Sequence, residues 1–184
     1  MNKAIPFVIT LFGLGTIGGS QPQFDPGAPP KAPVQARPAW TEFKWPFVLD
    51  QWGIGRAFVC KPSDCGSEVF IYLRPKIGSC NCATGALDDE ELDRVGDTEL
   101  IAPEAIASGP GRPIQIAWMK GRNRIFEKAD ETRAPLMSIA FHDNCDLFVA
   151  VATFASGNRD AVEPAVIAFI NSAPVLRWVK WSTL

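Results

Sequence analysis

The sequence contains a single histidine, His142, and lacks the short motifs that accompany most catalytic sites. It has no G-x-S-x-G segment to present a nucleophilic serine, so any Ser-His-Asp set would have to use His142. That histidine lies in the polar segment HDNCD (residues 142–146), which is typical of a surface turn. Double CxxC pairs and an EF-hand loop are also absent, which excludes the commonest zinc and calcium motifs. We therefore predict no active site.

The sequence also has no excess of positive charge. Its 18 Lys and Arg residues and 20 Asp and Glu residues give a net charge of -2. Proteins that bind nucleic acid or anionic membranes normally carry a basic patch, so we expect no nucleic-acid partner. One local basic group, Lys120, Arg122 and Arg124 beside Gly121, either meets an acidic partner or consists of solvated turn charges.

Long hydrophobic runs are missing as well. The apolar run from Ala4 to Ile17 is shorter than the roughly 20 residues that span a bilayer. It follows Lys3 and precedes Gly18, Gly19 and Ser20, which is the layout of a secretory signal peptide. We predict a signal peptide at residues 1–20, periplasmic export, and no integral membrane domain after cleavage. An uncleaved N-terminal anchor is the alternative, because no A-x-A cleavage site is present.

The remaining chain divides by composition into a linker and one domain. Residues 21–39 contain six prolines and little to bury, which is typical of an extended spacer. Residues 40–184 carry the aromatic and aliphatic residues of a core. We therefore predict a proline-rich linker at 21–39 and a single domain at 40–184.

Alternating apolar residues between turn formers predict an antiparallel sheet built of hairpins. The predicted strands are residues 56–60, 67–76, 113–120, 122–128, 136–142, 145–154 and 175–181. One helix begins after Asp88 as N-cap and ends at Gly96 as a left-handed cap, and a second covers residues 161–172. Gly121 is predicted at a hairpin turn, and Pro46 at the start of a short helical turn. The order β-β-α-β-β-β-β-α-β indicates an α+β fold with two principal helices packed on the sheet.

Five cysteines carry the unusual chemistry of the chain, and export makes structural disulfides the first interpretation. Cys60 and Cys65 flank the first hairpin loop and are predicted to pair. Cys145 pairs with either Cys80 or Cys82, whereas a Cys80–Cys82 bridge would close a strained small ring. Each arrangement with two bridges leaves one cysteine over, which is buried, reactive, or paired between molecules.

Two alternatives use the same cysteines. Cys80, Cys82 and Cys145, with His142, could form a tetrahedral copper or zinc site, because thiolates favour Cu(I) and Zn(II). The Cys80-Asn81-Cys82 segment could instead act in thiol–disulfide exchange, although redox enzymes normally place CxxC at a helix start. Under the structural interpretation the protein needs no cofactor.

Two pairs of segments resemble a family of small exported α-proteobacterial proteins. They are WGIGRAFVC with RPKIGSCNC (residues 52–60 and 74–82), and CDLFVAVATF with AVEPAVIAFINSAPVLRW (residues 145–154 and 161–178). The order of elements also resembles the PsbP/Mog1 type of α/β sandwich, whose members are accessory and scaffold proteins. The resemblance supplies no catalytic residue, and the PsbP/Mog1 type implies an accessory role rather than catalysis. We predict a secreted, non-catalytic binding or accessory module with a protein partner.

Overall fold

An antiparallel sheet dominates the structure, a computed structural model that describes residues 38–78, 87–128, 134–155 and 159–183. Within these residues the strands are β1 (Trp40–Phe43), β2 (Arg56–Cys60), β3 (Val69–Lys76), β4 (Ala105–Ala107), β5 (Arg112–Ile116), β6 (Met119–Lys128), β7 (Leu136–Asp143) and β8 (Asp146–Phe154). The helices are α1 (Pro62–Cys65), α2 (Asp89–Val95), α3 (Thr98–Ile101), α4 (Arg159–Ile170) and α5 (Ala173–Ser182). The predicted α+β class, with its antiparallel sheet, is confirmed. The predicted signal peptide and almost all of the predicted linker lie outside the described residues.

The strand order is β1-β2-β3-β8-β7-β6, and β6 pairs with both β4 and β5 along different parts of its length. The central strands β7 and β8 are nearly continuous apolar runs and are buried along most of their length. A strand of this kind needs cover on both faces, since alternate side chains point to opposite sides of a sheet. Helices accordingly lie on both faces.

Helices α4 and α5 cover one face. Val162, Val166 and Ile170 of α4 are fully buried, at the spacing of three to four residues that places side chains on one side of a helix. They pack with Phe148 and Phe154 of β8 in the main core. The helix predicted from this segment is therefore confirmed.

Both edges of the sheet also reach α4. Trp40 of β1 stacks on Phe169 with ring centroids 4.5 Å apart. At the other edge, Arg112 of β5 forms an ion pair with Glu163. The sheet therefore curves around this helix.

Helices α2 and α3 follow β3 and cover the opposite face. Leu92 and Val95 of α2 pack on Ala140, Leu147 and Val149 of the central strands. The Asp88 carboxylate accepts a hydrogen bond of 2.8 Å from the Glu91 amide, which satisfies one of the amides left without a partner at a helix start. The predicted N-cap is therefore confirmed.

The last predicted strand, Val175 to Trp181, is wrong, because this segment forms helix α5. Pro174 lies in the first turn, where a missing amide hydrogen costs nothing. Val175 and Val179, four residues apart, are the buried positions, and this is a helical period. The alternation of side chains in residues 175–181 is compatible with a strand and with a helix. Burial of Val175 and Val179 against the main core favours the helix.

Two glycine predictions are also wrong. Gly121 lies inside β6, and the hairpin turns at Ala117 and Trp118, with Ala117 at a positive φ of 49°. A Cβ at Gly121 would lie 2.6 Å from the Ala140 carbonyl oxygen, so this glycine permits the close approach of β7. Gly96 ends α2 in an extended conformation, with φ -61° and ψ 151°, and a Cβ there would lie 2.7 Å from the Ser138 hydroxyl oxygen.

The order of elements contains additions that the sequence analysis did not predict. Strand β1 precedes Pro46, and no helical turn begins at that proline. The loop between β2 and β3 forms the one-turn helix α1, which Gly66 ends in a left-handed conformation. The short elements α3 and β4 lie in a segment for which no helix or strand is predicted from the sequence.

Candidate functional site

The Cys60–Cys65 disulfide is present, with an S–S distance of 2.02 Å. It joins the end of β2 to the end of α1, and both cysteines are buried in the main core. The bridge therefore fixes the connection between β2 and β3, as predicted.

The other predicted cysteine sites are only partly described. Cys145 is disulfide-bonded, whereas Cys80 and Cys82 lie outside the described residues. His142 lies in β7, half-buried and opposite Leu147 in the strand register. Among the residues that the structure describes, no group of three or more His, Cys, Asp or Glu side chains could hold a metal ion. The predicted metal and redox sites therefore stay predictions.

A charged cleft of about 530 Å³ lies on the α2 side of the sheet, and the sequence analysis missed it. Its floor contains Arg74 and Lys76, which are two residues apart on β3 and so lie on the same face of the strand. Asp97, between α2 and α3, lies beside these two cations in the lining of the cleft. The segment from Asp50 to Trp52 borders the opening. This is the candidate site.

Asp97 is the centre of a buried ionic network. Its carboxylate accepts hydrogen bonds from Arg74 Nε at 2.6 Å and Arg74 Nη2 at 2.7 Å, and it lies 2.9 Å from Lys76 Nζ. Lys76 Nζ also donates to the Val95 carbonyl oxygen at 2.6 Å. The exposed fractions of the three charged side chains are 3% for Arg74, 8% for Lys76 and 7% for Asp97. Charges this deeply buried are stable only when paired.

Asp50 supplies the outer carboxylate of the network. Arg74 Nη1 donates to both carboxylate oxygens of Asp50, each at 2.8 Å. The Asp50 side chain is 36% exposed, so solvent reaches it at the opening of the cleft. The hydrogen bond from Arg74 lowers the pKa of Asp50 below its ordinary value of 3.8, against the opposing effect of burial. Burial would lower the pKa of Arg74, but the hydrogen bonds to Asp97 and Asp50 outweigh it and raise that pKa.

Aromatic rings border the two cations. The Trp45 ring lies 5.9 Å from the Arg74 guanidinium, and the Trp52 ring lies 5.5 Å from Lys76 Nζ. Tyr72, the neighbour of Arg74 on the same strand face, contacts Trp45 at 6.2 Å and Phe47 at 5.0 Å between ring centroids. Burial raises the pKa of the Tyr72 hydroxyl. The aromatic residues of segment 44–55 thus form one side of the network.

The same segment presents apolar side chains to solvent. Val48, Leu49 and Ile54 are among the most exposed large hydrophobic residues of the described chain. Residues 44–50 contain no helix or strand. Local backbone contacts hold the segment, since the Trp52 amide donates to Asp50 Oδ1 at 2.8 Å and the Gly53 amide donates to the Asp50 carbonyl oxygen at 3.0 Å. We call residues 48–54 the apolar loop.

The basic group beside Gly121 has acidic partners within the same chain. Arg122 Nε lies 2.5 Å from Asp89 Oδ1, and Arg124 Nη1 lies 2.5 Å from Asp93 Oδ2. Both acids belong to α2. Hydrogen bonds from Arg122 and from the Gly111 amide lower the pKa of Asp89 below 3.8, Arg122 having the larger effect. These arginines are therefore neither simple solvated turn charges nor a free basic patch.

Together the ion pairs attach α2 to strands that are well separated in the sheet. Asp89 and Asp93 reach β6, and Asp97, two residues after the helix, reaches β3. Between these contacts, Leu92 and Val95 pack on the central strands. Helix α2 therefore crosses the sheet and carries Asp97 to the floor of the cleft.

A second depression, of about 640 Å³, lies between β5 and α4. Ile114, Pro164 and Ile167 contribute apolar surface, and Arg112 with Glu163 contributes an ion pair. Arg112 is 56% exposed, so this pair is solvated, unlike the buried pairs of the cleft. The charged cleft is the stronger candidate because desolvated charges beside an opening mark functional sites more often than solvated charges do.

The chain matches no model of a known protein family and no curated protein. In the part of the chain that the structure describes, no helix combines the length and apolar character needed to cross a membrane.

Proposed function

We propose that this protein is an exported, non-catalytic binding or accessory module whose ligand contacts the charged cleft and the apolar loop. The observation that carries the proposal is the buried Arg74–Asp97–Lys76 network, open to solvent through Asp50. Desolvating ions costs several kcal/mol, and well-packed apolar residues are often equally stable in their place. A charged network beside a cleft therefore favours recognition over structural support alone.

The apolar loop supports the same proposal. Its exposed side chains lie next to Asp50 in sequence, and binding would remove them from water at a gain of roughly 25 cal/mol per Å². Ligand sites commonly combine apolar surface with a few fixed polar groups. Export is supported by the Cys60–Cys65 disulfide, because disulfides persist mainly in oxidising compartments.

Site-specific photo-crosslinking tests the proposal. The photoreactive residue p-benzoylphenylalanine replaces Ile54 in one variant and Ile106 in another, and the chain is exported to a bacterial periplasm. Both isoleucines are 67% exposed, so Ile106 is a matched control on another part of the surface. We expect a defined adduct from position 54 and none from position 106. Equal adducts, or none from position 54, would contradict the proposed binding face.

The alternative is copper or zinc binding by Cys80, Cys82, Cys145 and His142, and a second alternative is thiol–disulfide exchange at Cys80 and Cys82. A cysteine ligates these metals only as a thiolate, so a metal-bound form that uses Cys145 requires reduction of the bridge that contains it. A thiol and metal census of the exported protein, by alkylation and native mass spectrometry, separates these functions. One bound metal per chain, with Cys80, Cys82 and Cys145 all open to alkylation, would support the metal-binding alternative. Two bridges without metal support the binding module, and insulin reduction by the protein would support exchange.

A further inference from the structure

We infer that the cleft recognises a carboxylate of an apolar peptide segment, and that Asp50 occupies the position of this carboxylate. The inference rests on the proposed function and names the class of ligand. The outer nitrogen of the buried Arg74 guanidinium donates to the carboxylate of Asp50, which belongs to a partly exposed segment without helix or strand. The carboxylate now in place identifies the chemistry that this position accepts.

Charge balance limits the ligand to an anion. The cleft is lined by three cations, Arg74, Lys76 and Arg94, and by three carboxylates, Asp50, Asp97 and Glu99, so its charges balance in number. Of these carboxylates, Asp97 contacts Arg74 and Lys76, and Asp50 contacts Arg74. A neutral ligand that displaced Asp50 would leave a desolvated positive charge without compensation, which costs several kcal/mol. The ligand must therefore bring one negative charge.

Geometry favours a carboxylate among the anions. Two donors of Arg74 hold Asp97 in a side-by-side arrangement, and Nη1 is directed to both oxygens of Asp50. Arginine pairs with phosphate as well as with carboxylate, so the Asp50 carboxylate that Nη1 already holds is the observation that favours a carboxylate here. Of the two carboxylates, only Asp50 is substantially exposed, at 36% against 7% for Asp97. Exchange at Asp50 leaves the buried part of the network intact.

The residues around Asp50 indicate that the ligand carries apolar side chains beside its carboxylate. Val48, Leu49 and Ile54 are exposed on the apolar loop that carries Asp50. The segment before Asp50 is not fixed by strand pairing, so its displacement breaks no ladder of backbone hydrogen bonds. An acidic, apolar peptide segment of a partner protein meets both requirements.

Three peptides test the inference by isothermal titration at constant salt. They are acetyl-Val-Leu-Ala with a free carboxyl terminus, acetyl-Val-Leu-Asp-amide, and the neutral control acetyl-Val-Leu-Asn-amide. The protein is used wild-type and as Asp50→Asn, which removes the competing charge and keeps the side-chain shape. We expect Asp50→Asn to bind at least one acid peptide about tenfold more tightly than wild type, because an intramolecular competitor acts at millimolar effective concentration. Which acid peptide gains affinity identifies a terminal or a side-chain carboxylate.

The matched control is Asp93→Asn, which removes a surface carboxylate paired with Arg124, away from the cleft. It should bind all three peptides as wild type does. Arg74→Gln removes the positive charge that Asp50 neutralises, and should abolish the preference for acid over amide. If that variant does not fold, the peptide affinities of Asp50→Asn and Asp93→Asn still show whether removing the Asp50 charge strengthens binding of the acid peptides.

The inference is overturned if Asp50→Asn binds the acid peptides no more tightly than wild type, or if it binds the Asn peptide equally well. Its failure is distinct from failure of the proposed function. Adducts confined to position 54 without a preference for acids would retain the binding face and reject the carboxylate. Absence of adducts at position 54 would reject the binding face itself.

Discussion

Replacing Asp97 by Asn should destabilise the protein more than any other single carboxylate-to-amide change in the two ionic groups described above. Asp97 contacts both buried cations, at 2.6 Å from Arg74 Nε and 2.9 Å from Lys76 Nζ. Its removal leaves these two positive charges with Asp50 as their remaining carboxylate, and Asp50 is 36% exposed. Removing one partner of a buried ion pair costs about 3–5 kcal/mol. We expect a loss in this range.

The assay is urea unfolding at pH 7, followed by far-UV circular dichroism. Asp93→Asn is the matched control, because Asp93 is 42% exposed and pairs with Arg124 at the surface. A solvated pair of this kind contributes about 0–1 kcal/mol. The two variants make the same chemical change, so the difference between them measures the effect of burial.

A second substitution separates charge from packing. Adding Lys76→Met to Asp97→Asn removes one of the uncompensated cations and keeps most of the apolar stem. We expect the double variant to recover about 1 kcal/mol or more, since contacting residues are not additive. The reasoning is refuted if Asp97→Asn costs no more than Asp93→Asn. It is also refuted if the second substitution recovers nothing.

Three further predictions concern other parts of the fold. Gly121→Ala should cost about 2–3 kcal/mol in urea unfolding, because its Cβ would lie 2.6 Å from backbone of β7. Replacing Cys60 and Cys65 together by alanine should cost about 2 kcal/mol in the same assay, from the entropy of a five-residue loop. The stabilisation that Asp89 gains from Arg122, measured against Asp89→Asn over a pH series, should be present above pH 3.8 and decline as pH falls further, because the folded pKa is lowered.

Each of these three has an outcome that would contradict it. A neutral Gly121→Ala would mean that β7 moves away from β6 without cost. An alanine pair at Cys60 and Cys65 that matches wild type would mean that the unfolded loop is already restricted. A difference between wild type and Asp89→Asn that persists unchanged well below pH 3.8 would show that the charge of Asp89 is not its source.

Local pattern was sufficient for much of the sheet. Strands β2, β7 and β8 were predicted almost to the residue, because their apolar runs are bounded by turn formers. The Cys60–Cys65 bridge was predictable because its cysteines are five residues apart on either side of one turn. The Asp88 cap was predictable because its partner is three residues away. Each of these features depends on neighbours in the sequence.

Features that depend on distant partners were not predictable in this way. Arg74 finds Asp50 and Asp97, which are 24 and 23 residues away. An Arg and a Lys at the end of a strand usually indicate an exposed edge, so the local pattern does not predict that these two side chains are buried. The C-terminal segment was assigned the wrong period because only packing against the core distinguishes its two possible structures. Gly121 was misplaced because the approach of β7 is a tertiary contact.

The pairing of β3 with β8 has a consequence for the order in which the protein assembles. Val69 pairs with Phe154 and Lys76 with Leu147, partners 85 and 71 residues apart along the chain. Contacts of this range slow folding, since the entropy of closing a long loop must be overcome before the contacts form. The Cys60–Cys65 bridge closes locally and can form while most of the chain is still unfolded. Asp97 follows α2, and Leu92 and Val95 of that helix pack on the central strands β7 and β8. We therefore expect the buried charges to assemble after β8 has joined β3, so that an incompletely folded chain does not display the cleft.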